Sequence, residues 1–184
     1  MHIDDTKESF VKATILLAVV VVLLYVAAQN PSTAVASPPV GSEAALKASD
    51  ITNKIFPDQV FFRGQVAPVQ MRNTGGIRFA NDFYVLAGLV DNSGYSSDIR
   101  QKYQAYFITE VALQVGGQKL APGAYGVGFV SGNKFVVMDI GAHDLLQTDS
   151  AKDSEMKRPV PLQIVSSGGK YRFYVGRDYV EIGQ

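Results

Sequence analysis

The chain has 184 residues, with 17 basic side chains against 17 acidic ones, so its formal charge is zero and no clustered positive field argues for nucleic acid or an anionic lipid surface. It contains no cysteine, which removes disulfides, thiolate zinc sites and thiol nucleophiles together. A long apolar stretch and a linker near the start leave room for one domain of ordinary size.

Residues 1–12, MHIDDTKESFVK, form a short leader carrying Lys7 and Lys12 against Asp4, Asp5 and Glu8. No charged residue then occurs before Glu43, and residues 13–28 are almost wholly Leu, Val, Ile and Ala. A helix from Phe10 to Ala28 would be about 28 Å long, close to the roughly 30 Å hydrocarbon core. The segment is therefore read as a transmembrane signal anchor. With the nearest lysine on its N-terminal side and the next basic residue at Lys47, the leader lies in the cytoplasm and the rest of the chain outside it. The alternative is a signal peptide cleaved after Ala36, where Ala34-Val35-Ala36 offers the small-x-small pattern and releases a periplasmic or secreted domain. An acidic leader and a long apolar run count against cleavage.

Residues 29–42, QNPSTAVASPPVGS, are a Pro, Ser and Ala linker whose composition cannot bury enough surface to order itself. Residues 43–184 make the extracytoplasmic domain. Its first stretch, SEAALKASDITNKIF, is expected to be a short helix, with Ser42 as N-cap, Ala45, Leu46, Ile51 and Ile55 on one stripe, and Pro57 ending it.

From Gln59 the period changes to two. VFFRGQVAPVQM, FYVLAGLV (Phe83–Val90), TEVALQV (Thr109–Val115), AYGVGFV (Ala124–Val130), KFVVMDI (Lys134–Ile140), PLQIV (Pro161–Val165) and YRFYV (Tyr171–Val175) are β-branched and aromatic runs. The pairs Gly116-Gly117, Gly132-Asn133 and Gly168-Gly169 separate neighbouring runs, as antiparallel hairpins require. A helical turn over Ser96–Gln104 interrupts the series, and the polar stretch Ala142–Lys157 is a long connection with room for another. The fold class is mainly β: an antiparallel β-sandwich, or a partly open barrel, preceded by the N-terminal helix and the short helix.

At GGQKLAPGAYGVGF, Gly116 to Phe129, followed by NKFVVMDIG, the pattern of strand, glycine turn, L-x-P-G-x-Y and second strand resembles a hairpin recurring in uncharacterised exported β-sandwich domains of bacteria. FFRGQVAPVQMRNTGG and the closing YRFYVGRDYV are similar in style to hypothetical proteins of soil bacteria. The resemblance implies a sandwich fold and an exported location; it carries no activity and no catalytic residues.

Candidate chemistry is sparse. His143 is the only histidine outside the leader, and Asp139, Asp144, Asp149, Asp153 and Glu155 stand near it in DIGAHDLLQTDSAKDSE. Imidazole and carboxylates are competent ligands for a divalent metal, but the spacing is neither an EF-hand loop nor HExxH. The plainer reading is a solvated loop. One histidine leaves one possible base for a serine hydrolase, and no G-x-S-x-G elbow surrounds Ser96, Ser97, Ser166 or Ser167. RNTGG, Arg72–Gly76, reads as a hairpin turn or as a backbone nest for an anion. No cofactor signature is present in the sequence.

Aromatic residues are plentiful, and most are expected in the core or in cross-strand pairs. In YRFYV, Tyr171, Phe173 and Val175 share one face while Arg172 and Tyr174 share the other. Arg172, Tyr174 and Tyr179 are accordingly the candidate interaction residues. The leading reading is a membrane-anchored extracytoplasmic module that binds a protein partner or a second copy of itself, free-standing or as an accessory subunit of an envelope complex. A cleaved metal-binding protein or hydrolase using the His143 loop, and a filament subunit with an apolar helix core, are the alternatives.

Overall fold

The computed structural model describes residues 42–184; the leader, the apolar segment and nearly all of the linker lie outside the described residues. Among the described residues, no helix is long and apolar enough to cross a membrane.

The strands run β1 (Ala44–Lys47), β2 (Gln59–Phe62), β3 (Gln65–Arg78) and β4 (Tyr84–Val90). The one helix among the described residues, α1 (Ser97–Lys102), precedes β5 (Ala105–Thr109), β6 (Leu113–Val115), β7 (Gln118–Leu120), β8 (Gly123–Val130) and β9 (Lys134–Met138). Then follow β10 (Asp144–Asp149), β11 (Ala151–Lys152), β12 (Leu162–Ser167), β13 (Lys170–Val175) and β14 (Asp178–Gly183). The first sheet has the order β1-β3-β4-β5-β8-β9-β10 with β2 paired to β3. The second has the order β12-β13-β14-β6-β7 with β11 paired to β14. All pairings are antiparallel, and the sheets do not close into a barrel.

The sheets face each other across a core that draws Ile77, Val85, Phe107 and Phe135 from the first and Leu113, Ile164, Phe173 and Ile182 from the second. Phe173 sits at its centre, with ring centroids 5.7 to 6.0 Å from Phe107, Phe129 and Phe135. The first sheet is covered on its other face as well. There Leu86, Tyr106, Val136 and Met138 pack against Phe56, Val60, Phe62, Tyr95 and Tyr103. This double burial explains why KFVVM is apolar at every position: Phe135 and Val137 enter one core, Val136 and Met138 the other.

Glycines on the outer face let the second cover come close. A Cβ at Gly126 would lie 2.4 Å from the Phe62 ring, and one at Gly88 2.7 Å from the Phe56 ring. Phe62 in turn stacks on Tyr103 at 3.9 Å.

The three expected glycine turns join β6 to β7, β8 to β9 and β12 to β13, and all six residues have positive φ. A fourth turn of this kind, Arg63-Gly64, divides VFFRGQVAPVQM into β2 and β3. The helical turn is present as α1.

Four expectations are corrected. Ser42–Phe56 is not a helix: Ala45 packs on the inter-sheet core and Leu46 on the outer one, a period of two imposed by pairing with Gly75–Arg78. Asp50 then stops the strand by accepting the Lys47 N–H at 2.9 Å. Ala142–Lys157 holds no helix among the described residues; Leu146 and Thr148 turn inward on β10 while their neighbours face out. Thr109–Val115 is not one strand, because the chain leaves the first sheet at Thr109 and enters the second at Leu113, with the Thr109 hydroxyl donating to Val111 O at 2.6 Å across the corner. RNTGG is neither hairpin turn nor nest: it lies within β3, around a bulge where Val69 pairs with Val90 and Thr74 with Gly88.

Candidate functional site: the outer face of the second sheet

β13 and β14 are stiffened from behind by Tyr171, Phe173, Val180 and Ile182, all buried in the inter-sheet core. The alternation that buries these side chains forces Arg172, Tyr174, Tyr179 and Glu181 onto the opposite face. Tyr174 pairs directly with Tyr179, and Arg172 with Glu181. The three sequence-predicted interaction residues are therefore neighbours. The Arg172 guanidinium lies 4.6 Å over the Tyr179 ring, whose centroid is 5.1 Å from that of Tyr174. Arg172 Nε stands 3.8 Å from the Glu181 carboxylate, too far for a hydrogen bond, and has no hydrogen-bond partner among the described residues although it is shielded from solvent. Lys170 approaches the same carboxylate at 3.4 Å.

An arch over one end of this face was not evident from the sequence. Asp153 accepts the N–H groups of Glu155 and Met156, each at 3.1 Å, which folds the chain over. Its second oxygen accepts the Tyr174 phenol at 3.1 Å, and Arg177 Nε donates to Met156 O at 3.1 Å. Tyr174 is thereby buried at 2% exposure, and burial raises its phenol above the usual range. Tyr174 thus positions the arch, while Arg172, Tyr179 and Glu181 present the accessible surface. Glu181 carried a readable signal, standing two residues from Tyr179 on a period-two strand; Asp153 carried only the turn propensity of Asp-Ser.

The His143 group is dispersed. Asp139 caps the turn after β9, accepting Gly141 N–H at 2.8 Å and His143 N–H at 2.9 Å, with His143 Nδ1 2.9 Å from its other oxygen. The His143 backbone N–H and ring, with Gly141 N–H, hold the Asp139 carboxyl below its ordinary value. Asp144 pairs with Lys102, and Asp149 with Lys134. Asp144 and Asp149 begin and end β10, about 17 Å apart at roughly 3.3 Å per residue. Asp139 and His143 are in contact, but Asp144 and Asp149 are held apart by their lysines, and among the described residues no three His, Asp or Glu side chains form a metal-binding group.

No protein-family model matches the sequence, and neither a curated protein nor a solved structure is similar enough to match it.

Proposed function

We propose that the chain is a membrane-anchored extracytoplasmic binding module, held by residues 13–28 and engaging a protein partner or a second copy of itself through the outer face of the second sheet. The observation that carries the reading is the Arg172–Tyr179 stack on the open face of a sheet whose other face is core. Arginine and tyrosine are the residue types that dominate binding energy when a partner desolvates them. A guanidinium held over a ring costs little further ordering on binding.

The test has two parts. Membranes washed in alkaline carbonate should retain the chain at its full 19.9 kDa; recovery of a shorter soluble form would remove the anchor. A photo-crosslinking amino acid at Tyr179 should trap one discrete partner, lost on Arg172→Ala, while the same group at exposed Phe61 traps none. Equal adducts from both positions would sink the binding face.

A further inference from the structure

With residues 13–28 anchored in a membrane as proposed, a reading on which this one rests, we infer that the outward face of the β2–β3 hairpin lies on that membrane, with Phe61 and Val66 buried in its lipid interface. One face of the hairpin is core: Val60, Phe62, Ala67 and Val69 pack on the outer side of the first sheet. Strand alternation turns Gln59, Phe61, Val66 and Pro68 the other way, and all four are exposed. Phe61 stands directly opposite Val66, and Gln59 opposite Pro68. The two large side chains, 53% and 60% exposed, therefore make one apolar patch with Pro68 beside it.

Exposed strand positions elsewhere are mostly polar, as with Gln147 and Asp149 on β10, Gln118 and Lys119 on β7 and Glu181 on β14. On the hairpin strands every exposed position is uncharged except Arg72 beyond the patch, so no carboxylate has to leave water for the face to meet lipid. The patch is also held rigidly. Arg63 N–H donates to Ile140 O at 2.7 Å and Arg63 Nη1 to Gly141 O at 2.8 Å, while the Tyr95 phenol donates to Phe62 O at 2.9 Å. The tip is thereby pinned beside Ile140, itself 48% exposed. The carboxylates flanking that residue, Asp139 and Asp144, are engaged by the His143 loop and by Lys102.

Lipid is the occupant favoured by what precedes the domain in the chain. Residues 29–41 separate the apolar segment from β1, a tether of roughly 45 Å at most when extended. The chain enters the first sheet at Ala44, paired with Arg78 on β3, the same strand whose other end forms the hairpin. So short a tether holds the hairpin near the bilayer at high effective concentration, and a few apolar side chains then suffice where a free protein needs a second anchor. The patch is small for a protein interface, which takes about 800 Å² per partner. The order hairpin, first sheet, second sheet turns the Arg172–Tyr179 face away from the bilayer, about 20 Å further out with layers roughly 10 Å apart. It is left open to a partner.

The chain contains no tryptophan, so a single substitution to tryptophan reports one place. The full chain is reconstituted in phosphatidylcholine vesicles with and without bromine on the acyl chains, carrying Phe61→Trp, Leu23→Trp in the apolar segment, or Phe83→Trp at the exposed β3–β4 turn. A ring about 5–10 Å into the interface meets the brominated chains, so Phe61→Trp should lose at least about half its emission, as Leu23→Trp does, and Phe83→Trp less than about a tenth. Adding Val66→Asp to Phe61→Trp, an exposed change that leaves the fold intact, should restore at least about half of the lost emission, because a carboxylate is costly in lipid. Quenching at Leu23 without quenching at Phe61 would overturn the hairpin contact and leave the anchor standing. Absence of quenching at Leu23 would remove the anchor and this contact with it. Equal quenching at Phe61 and Phe83, or no effect of Val66→Asp, would also overturn the contact. So would cross-links between the Phe61 positions of two chains in place of quenching, which would assign the patch to a second copy.

Discussion

Gly126→Ala tests whether the β2–β3 hairpin covers the outer face of the first sheet as described. The new methyl would lie 2.4 Å from Phe62 Cε2 and 2.6 Å from Cζ, where carbon atoms ordinarily stand about 3.5–4.0 Å apart. Phe62 must therefore retreat by about 1 Å. It is fully buried, and Tyr103, stacked on it at 3.9 Å, is itself 3.0 Å from the added methyl. Overpacking of this kind costs about 1–3 kcal/mol, a fall in Tm of roughly 3–12 °C for a domain of this size. Thermal unfolding followed by near-ultraviolet circular dichroism measures it. Gly94→Ala, whose methyl meets nothing nearer than 3.5 Å, is the control and should change stability by less than about 0.5 kcal/mol. Phe62→Leu should lose packing alone yet destabilise less in the Gly126→Ala background, giving a coupling above about 0.5 kcal/mol. If Gly126→Ala matches the control, or the two changes simply add, the ring does not sit where the structure places it.

Tyr174→Phe removes the phenol that holds Asp153 and should cost about 1 kcal/mol. Trypsin should then cut faster after exposed Lys157, and an unchanged cleavage rate would detach Tyr174 from the arch. Gly75→Ala drives a methyl to 3.0 Å from the backbone of β12 and should destabilise by about 1–3 kcal/mol; a wild-type denaturation midpoint would mean the sheets are not in contact there. Because the folded Asp139 carboxyl titrates below its ordinary value of 3.8, its ionised form stabilises the fold above that value, and the contribution is lost as pH falls through the folded-state titration. Urea midpoints at about pH 7 and about pH 3 should therefore differ less for Asp139→Asn than for the wild type, and an equal difference contradicts the capping role.

The alternation in YRFYV determined, without any structure, that Arg172 and Tyr174 would share a face opposite Tyr171 and Phe173, because a strand's side-chain period is fixed at two. The diglycine turns were equally legible, since positive φ at consecutive positions leaves few other residue types. What the sequence could not carry was anything settled by distant partners. SEAALK has a helical pattern, yet the free edge of β3 made it a strand. RNTGG has the composition of a turn, yet its glycines serve close approach inside a strand, to Ile164 of the opposite sheet at Gly75 and to Val85 and Leu86 of the neighbouring strand at Gly76. The acids around His143 lie near one another along the chain, yet each found a different partner, Asp144 on Lys102 and Asp149 on Lys134. Local periodicity follows from backbone geometry and can be read residue by residue; which edge, lysine or ring a side chain meets depends on contacts made far along the chain, and these the fold alone decided.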